Sequence, residues 1–315
     1  MKNLHSLLSL IAALALCTGA ALAAPFAYVP NEKSGTISII DTATDIVSGE
    51  IQAGKRPRGL AVSPDGKFIY VSDQPTNGVN VIDVAARAIV ANINLGESPE
   101  GVGMSPDGRW VAVAVEESNS VAIIDATTRK VVVNLKVTGK NPEHAVFSPD
   151  NRWLYVSAEE GDVVDVIDAK AQKQVTSIKV GIRPRGIGFL PDGSRAYVAG
   201  EEANTVYSID TAKQTVLNKI KAGVRSNGIA VRPDGKRVFV SNGEGTVMAI
   251  DTATDTVIAT IQVGLRPWNM AITPDGKKLY VANGRSNSVS VIDAESNEKL
   301  RDIAVGELPW GVVIR

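Results

Sequence analysis

The chain has 315 residues, of which 44% are hydrophobic and 21% are charged, and its formal net charge is −1. These values are ordinary for a globular protein, and they exclude a disordered acidic chain and a strongly basic domain that binds nucleic acid. One cysteine and two histidines are too few for a cysteine-rich zinc site, a disulfide scaffold or a multi-histidine metal centre.

The first 23 residues have the pattern of a secretory signal peptide. Lys2 supplies a positive charge, residues 7–16 form a continuous apolar run, and Ala21-Leu22-Ala23 fits a cleavage site. The apolar run is shorter than the roughly 20 residues that a membrane span requires. We therefore expect an exported protein without a membrane span, from which cleavage removes Cys17.

The rest of the chain consists of seven copies of one unit. An Ile-Asp dipeptide recurs at intervals of 41 to 43 residues, with its aspartate at Asp41, Asp83, Asp125, Asp168, Asp210, Asp251 and Asp293. A second landmark, Pro-Asp-Gly or Pro-Asp-Asn, is typical of a tight turn. Repeats of about 40–45 residues with four short strands indicate a β-propeller. We therefore expect residues 24–315 to form a single domain.

Each unit contains four strand-like runs, which we name a to d from the propeller axis outward. In the second unit these runs are predicted at residues 59–63, 68–72, 79–83 and 88–95. The first unit has only b, c and d, whereas the chain ends with an unpaired a-like run at 311–315. The sequence thus predicts an all-β, seven-bladed propeller in which one blade combines N-terminal strands b, c and d with a C-terminal strand a. This closure hides sheet edges.

Several motifs resemble the YVTN-type bacterial β-propeller repeats, namely Leu154-Tyr155-Val156-Ser157, residues 279–283 and residues 289–293. The compact seven-repeat chain with a signal peptide is similar to the β-propeller family associated with catabolism that depends on pyrroloquinoline quinone (PQQ). This resemblance implies a periplasmic protein linked to quinoprotein alcohol oxidation, with a quinoprotein dehydrogenase or a transport component as its partner. The chain is too short and has too few tryptophans, four, to resemble the dehydrogenase itself.

The candidate site lies where the d-to-a connections and the b-to-c loops share one face of a propeller. Five consecutive connections carry arginines and tryptophans, and the other two carry acidic residues and a histidine, so a basic and aromatic arc is expected to face a short acidic arc. The b-to-c loops outside these arcs are acidic. The candidate ligand-binding residues are Arg56, Arg58, Glu143, His144, Arg183, Arg185, Arg225, Arg266, Trp268 and Trp310.

The basic and aromatic arc is suited to a small, flat ligand with several negative charges. Guanidinium groups bind carboxylates through two hydrogen bonds, and guanidinium and indole groups stack on planar rings. PQQ is a planar tricarboxylate and has this chemistry, although the residues alone require no cofactor. Alternatively, the arginines form ion pairs with the acidic loops and bind no ligand. We favour a non-catalytic binding or accessory protein that holds an anionic ligand or a protein partner at the channel mouth.

An enzyme is the alternative interpretation. Several seven-bladed lactonases and lyases are similar in size and place a site at the channel mouth. Here Glu100, Glu143 and His144 are the residues that could supply a base or bind Mg²⁺ or Ca²⁺. A scaffold that uses only its flat face is a third interpretation. The sequence has no P-loop, no Gly-x-Ser-x-Gly motif and no haem-attachment motif.

Overall fold

A computed structural model describes residues 25–315 as seven antiparallel sheets of four strands each. The predicted signal peptide, residues 1–23, lies outside the described residues. Within residues 25–315 the helical segments are two single 3-10 turns, Gln74–Thr76 and Glu159–Gly161. In this part of the chain no helix is long and apolar enough to cross a membrane.

The strands follow the sequence repeat. Blade 1 begins with β1 (Phe26–Asn31), β2 (Thr36–Asp41) and β3 (Ile46–Gln52). Blades 2 to 4 contain β4 (Pro57–Val62), β5 (Phe68–Asp73), β6 (Gly78–Asp83), β7 (Ala88–Asn94), β8 (Pro99–Met104), β9 (Trp110–Val115), β10 (Ser120–Asp125), β11 (Lys130–Lys136), β12 (Pro142–Phe147), β13 (Trp153–Ala158), β14 (Val163–Asp168) and β15 (Lys173–Lys179). Blades 5 to 7 contain β16 (Pro184–Phe189), β17 (Arg195–Gly200), β18 (Thr205–Asp210), β19 (Thr215–Lys221), β20 (Ser226–Val231), β21 (Arg237–Asn242), β22 (Thr246–Asp251), β23 (Thr256–Gln262), β24 (Pro267–Ile272), β25 (Lys278–Asn283), β26 (Ser288–Asp293) and β27 (Glu298–Ala304). The last strand, β28 (Val313–Ile314), belongs to blade 1.

The repeated Pro-Asp-Gly motif forms the turn between the first two strands of a blade. In blade 2 the amide of Gly66 donates to the carbonyl of Ser63 at 2.8 Å, and Asp65 accepts hydrogen bonds from the Ser63 hydroxyl and the Lys67 amide. Gly66 has φ +72°, a conformation that glycine adopts without steric cost. The repeated aspartates therefore act as turn residues, as the sequence pattern predicts.

The two ends of the chain meet in blade 1. Strand β28 pairs antiparallel with β1, with Tyr28 opposite Val313, and the backbones of Phe26 and Arg315 exchange two hydrogen bonds of 2.6 and 2.9 Å. Apolar residues of blades 7 and 1 share one buried cluster that includes Tyr280 and Ile40. The prediction of a seven-bladed propeller closed by its own C-terminal strand is confirmed.

Candidate ligand-binding site at the channel mouth

Seven side chains at equivalent positions encircle the mouth of the central channel. Six of them are the second residue of an innermost strand, and Trp310 lies at the corresponding position before β28. In order of the blades from 2 to 7 and then 1, they are Arg58, Glu100, Glu143, Arg185, Asn227, Trp268 and Trp310. All seven line one cavity of ≈ 220 Å³, which we call the mouth cavity. The equivalent positions come together because the blades repeat around one axis.

The mouth cavity has a charged half and an aromatic half. On blades 2 to 5 the order is arginine, glutamate, glutamate, arginine. Arg58 donates to both carboxylate oxygens of Glu100, at 2.7 and 2.9 Å, and Arg185 donates to Glu143 at 2.6 Å. The residues stand in the ring order of the predicted arcs, but Arg58 and Arg185, at the edges of the basic arc, pair with the two glutamates.

The acidic b-to-c loops do not lie outside the arginines but reach in between them. In four blades the residue directly after the second strand is a glutamate: Glu32, Glu116, Glu159 and Glu201. Arg183 donates to Glu159 at 2.6 Å, and Arg266 donates to Glu201 at 2.7 Å. The structure therefore contains the ion pairs between arginines and acidic loops that were the alternative to an anion-binding arc.

The guanidinium of Arg185 contacts three carboxylates. Its Nη1 donates to Glu143 and contacts Glu159, and its Nε donates to Glu201 at 2.8 Å. Three carboxylates from two blades thus hold one guanidinium in a fixed orientation, because bidentate and multiple charged hydrogen bonds restrict its rotation.

Two glycines make room for cavity side chains in blades 6 and 7. Gly243 and Gly284 occupy the position that glutamate holds in blades 1, 3, 4 and 5. A Cβ at Gly284 would lie 2.4 Å from Cζ3 of Trp268, and a Cβ at Gly243 would lie 2.5 Å from Nη1 of Arg266. The absence of a side chain at these positions therefore allows the indole and the guanidinium to pack over the loops.

The next position along each inner strand is occupied mostly by glycine, and Asn269 is the residue there that lines the mouth cavity. Five blades have glycine there: Gly59, Gly101, Gly186, Gly228 and Gly311. At Gly59 a Cβ would lie 2.3 Å from the carbonyl oxygen of Glu100, so neighbouring strands approach too closely for a side chain. His144 and Asn269 are the two remaining residues at this level. The imidazole of His144 stacks on Trp310 below the mouth.

Burial and mutual repulsion perturb the carboxylates of the charged half. Burial, together with the charge of Glu143, raises the pKa of Glu100 to about 8 and that of Glu159 to about 7. Burial alone would raise the pKa of Glu201 as well, but the Arg185 and Arg266 guanidiniums hold that pKa below its ordinary value. Glu100 and Glu159 therefore take up protons near neutral pH.

The structure divides the predicted ligand-binding residues into two groups. Seven of them line the mouth cavity: Arg58, Glu143, Arg183, Arg185, Arg266, Trp268 and Trp310. His144 lies at the glycine level of the inner strands, whereas the Arg56 side chain is exposed and bonded to Glu32. Arg225 is exposed and does not line the cavity.

Five lining residues were not predicted from the sequence: Glu116 and Glu159, which were expected outside the site, and Glu32, Asn227 and Asn269. The last three were not singled out at all. Alignment of the seven units position by position would have identified them. Glu32 directly follows strand β1, as Glu116 follows β9, and Asn227 and Asn269 occupy inner-strand positions equivalent to those of Arg185 and His144.

The alternative site of Glu100, Glu143 and His144 does not form a metal centre. Across residues 25–315, no three His, Cys, Asp or Glu side chains are grouped so that they could hold a metal ion. The two glutamates bind arginines, and the imidazole packs against Trp310 with both ring nitrogens unpartnered. The metal-dependent version of the lactonase or lyase interpretation therefore lacks its ligand set.

A family comparison agrees with this architecture. Residues 5–314 match the family described as YNCE-like beta-propeller. The chain belongs to this family. None of the curated proteins matches the chain. The match covers all seven blades, whereas the narrower resemblance to PQQ-associated propellers has no counterpart among these findings.

Solved structures similar to this YNCE-like propeller show the fold alone, because their sequence identities are low. A functionally unknown protein from Desulfotomaculum acetoxidans DSM 771 has a TM-score of 0.81 and 19% identity over 92% of this chain and 98% of its own. The Kuenenia stuttgartiensis hydrazine synthase has a TM-score of 0.74 and 23% identity over 81% and 88%. The dihydro-heme d1 dehydrogenase NirN, in complex with DHE, has a TM-score of 0.69 and 17% identity over 93% and 76%.

Proposed function

We propose that this YNCE-like propeller is a non-catalytic binding protein that takes a small, planar ligand bearing carboxylates into the mouth cavity. One observation carries the proposal: the guanidiniums of Arg58 and Arg185 and the indoles of Trp268 and Trp310 line the same cavity of ≈ 220 Å³. Carboxylates of the ligand face the charged half, and its ring lies against the indoles. Small-molecule sites are concave and have a few convergent polar groups, as here.

The hydrogen-bonding capacity of the cavity wall favours a ligand rich in acceptors. Among the described residues, three of the lining guanidiniums each keep one buried nitrogen without an acceptor: Nε of Arg58, Nε of Arg183 and Nη1 of Arg266. No carboxylate oxygen of the wall is buried without a donor. Because an unmade hydrogen bond of a buried charged group is costly, carboxylate or carbonyl oxygens complement this wall better than a cation does.

Protonation of the wall favours the same ligand. Five glutamates and four arginines line the cavity, so its formal charge is −1 when all are ionised. The raised pKa values of Glu100 and Glu159 bring both into their protonated forms as pH falls through about 8 and about 7. The charge of the wall then becomes positive, and each carboxylic acid offers a hydrogen-bond donor to an anion.

PQQ is the candidate ligand that the sequence resemblance suggests, and it has the required planar tricarboxylate structure. The resemblance and the predicted signal peptide together support a periplasmic location. They also support a periplasmic quinoprotein dehydrogenase, or a transport component, as the protein that this propeller serves. The accessory role needs no chemistry from the chain itself.

Tryptophan fluorescence offers a direct test. In the double variant Trp110→Phe, Trp153→Phe the remaining indoles are Trp268 and Trp310, so any quenching reports the mouth cavity. We expect PQQ and a planar benzene tricarboxylate to quench this emission at micromolar concentrations, and citrate, which is not planar, to bind more weakly. Affinity should increase as pH is lowered from about 9 to about 6, because Glu100 and Glu159 take up protons.

Two arginine variants provide the matched comparison. Arg266→Gln removes a guanidinium from the cavity wall and should weaken binding roughly tenfold, the equivalent of one charged hydrogen bond. Arg225→Gln removes an exposed guanidinium that forms no ion pair among residues 25–315 and does not line the cavity, so it should leave the affinity unchanged. Absence of micromolar binding by either planar carboxylate, or equal effects of the two substitutions, would refute the proposal.

A further inference from the structure

Three exposed apolar side chains occupy equivalent positions in consecutive blades on the mouth face, outside the mouth cavity. Ile182, Val224 and Leu265 are 53%, 52% and 63% exposed, and each lies in the connection that leads into blade 5, 6 or 7. Most other exposed large apolar residues lie on the outermost strands of the blades. We call the three residues the apolar ridge.

The apolar ridge occupies a position that is charged in every other blade. In the connections into blades 1 to 4 the equivalent residues are Glu307, Lys55, Glu97 and Lys140, and all four are exposed. In these four blades a charged residue occupies this water-exposed turn, so the turn itself does not require an apolar side chain. Three apolar replacements at equivalent positions of consecutive blades therefore distinguish one side of the mouth face, and exposed apolar residues grouped on one side of a molecule are typical of interaction sites.

The backbone holds the ridge in a fixed shape. Arg183, Arg225 and Arg266 directly follow the three ridge residues and have φ values of 54°, 58° and 51°. Each carbonyl accepts a backbone hydrogen bond of 2.8 to 3.0 Å from the b-to-c loop of its own blade. A surface that is already ordered loses little entropy when a partner binds.

The charges beside the ridge indicate the chemistry of its partner. Arg225 and Arg285 are exposed, form no ion pair within residues 25–315, and lie next to Val224 and against the backbone of Leu265 respectively. The neighbouring acidic side chains are Asp162, which accepts from the amide of Arg183, Glu202, which pairs with Arg183, and Glu244, which accepts from Thr246. Arg183 is balanced by its contacts with Glu159, Glu201 and Glu202, so Arg225 and Arg285 are the two guanidiniums beside the ridge that have no carboxylate partner among the described residues.

We infer that the apolar ridge of blades 5 to 7 is the docking surface for a protein partner that presents an apolar segment flanked by carboxylates. The apolar side chains of the partner cover Ile182, Val224 and Leu265, and its carboxylates pair with Arg225 and Arg285. This inference is independent of the proposed ligand, because none of the three ridge residues lines the mouth cavity.

A phage-displayed library of random peptides tests this chemistry with the full chain immobilised. Sequences enriched on the wild type should combine aliphatic or aromatic residues with Asp or Glu. Their affinity should fall roughly tenfold or more in the triple variant Ile182→Ser, Val224→Ser, Leu265→Ser. The double variant Arg225→Glu, Arg285→Glu should also weaken them, and added salt should reduce that second effect.

The control is a second triple variant, Val132→Ser, Val175→Ser, Leu217→Ser, which removes three exposed apolar residues from the outer strands of blades 3 to 5. It should bind the selected peptides as the wild type does. Enrichment of basic peptides, equal loss in both triple variants, or no peptide specific to the ridge would overturn the inference. Ridge-dependent binding to phosphatidylglycerol vesicles without peptide binding would assign the surface to a membrane and overturn it as well.

Discussion

The imidazole of His144 lies over the indole of Trp310, with ring centroids 5.6 Å apart and ring planes inclined by 23°. His144 belongs to blade 4 and Trp310 leads into the closing strand of blade 1, so the contact spans the central channel. Both ring nitrogens of His144 are buried and unpartnered, and the contact is therefore aromatic packing. Burial lowers the pKa of His144 below its ordinary value, although the charge of Glu143 and a contact with Asn269 act in the opposite direction.

The lowered pKa of His144 predicts a loss of stability in acid. Its pKa is lower in the folded state than in the unfolded chain, which takes up a proton below about pH 6.5. The contribution of His144 to the free energy of unfolding is therefore fully present above about pH 6.5 and is lost as the pH falls below that value. The substitution His144→Phe removes the titrating group, so the Tm of the variant relative to wild type should rise by a few degrees between about pH 8 and about pH 5.

Thermal unfolding followed by circular dichroism across this pH range measures the effect. His144→Ala is the comparison variant, because it removes both the titrating imidazole and its packing against Trp310. It should be less stable than wild type at pH 8 by roughly 1–3 kcal/mol. A constant Tm difference between His144→Phe and wild type at all pH values would contradict the assignment.

Glu100 predicts the opposite dependence on pH. Its folded-state pKa, about 8, lies above the ordinary value of 4.5, so the folded protein retains a proton that the unfolded chain has lost. The stabilisation that comes from protonation of Glu100 is therefore fully present below about pH 4.5. It decreases as the pH rises from about 4.5 to about 8. The substitution Glu100→Gln should raise Tm by a few degrees at about pH 9 and by less at about pH 5.

The control for this prediction is Glu117→Gln, which changes an exposed glutamate in a b-to-c loop of the same blade. Its effect on Tm should be small at both pH values, since exposed charges contribute little. A stabilisation by Glu100→Gln that does not grow with pH would show that the carboxyl is ionised throughout the range.

The fold could be predicted from the sequence because its determinants are local and repeated. Strand β6 ends at Asp83 of the Ile-Asp dipeptide, and the turn at Gly66 needs a positive φ, so each unit specifies its own strands. The unpaired run after Gly311 indicated how the ring closes. These features require no knowledge of contacts between distant residues.

The site could be predicted only in part. The inner-strand positions identified Trp268 and Arg185, because repetition alone places them at one rim. The pairing of Arg185 with Glu143, Glu159 and Glu201 could not be predicted, since it depends on how far side chains from two kinds of loop reach into one cavity. Ion pairing of the arginines with the acidic loops was foreseen as the alternative to ligand binding, but the individual partners of each arginine were not predicted.

The ring is closed by two short paired segments, so we expect the stability of the protein to be sensitive to substitution of Val313. The backbones of Phe26 and Arg315 exchange hydrogen bonds, and alternation along an antiparallel ladder makes Tyr28 and Val313 the next hydrogen-bonded pair. Val313→Pro removes this donor and should lower Tm by several degrees. It should also expose the edge of β1 and promote aggregation that depends on protein concentration.

Val313→Thr is the matched variant, because it retains the β-branched shape and the backbone N–H. Its Tm should lie close to that of wild type, and light scattering should detect no added aggregation. If Val313→Pro unfolds and scatters as Val313→Thr does, the C-terminal strand contributes nothing to closure.

Gly284 and Trp268 form the pair that most directly links sequence to the shape of the mouth cavity. A Cβ at Gly284 would lie 2.4 to 3.0 Å from three atoms of the six-membered ring of the indole. Gly284→Ala must therefore displace Trp268 and should cost roughly 1–3 kcal/mol of unfolding free energy. In a Trp268→Phe background the added methyl group meets a smaller ring, so the same substitution should cost less than about 0.5 kcal/mol. Urea unfolding of wild type, both single variants and the double variant measures this coupling. Additive costs would mean that the glycine does not make room for the indole, and the shape of the aromatic half would then need another explanation.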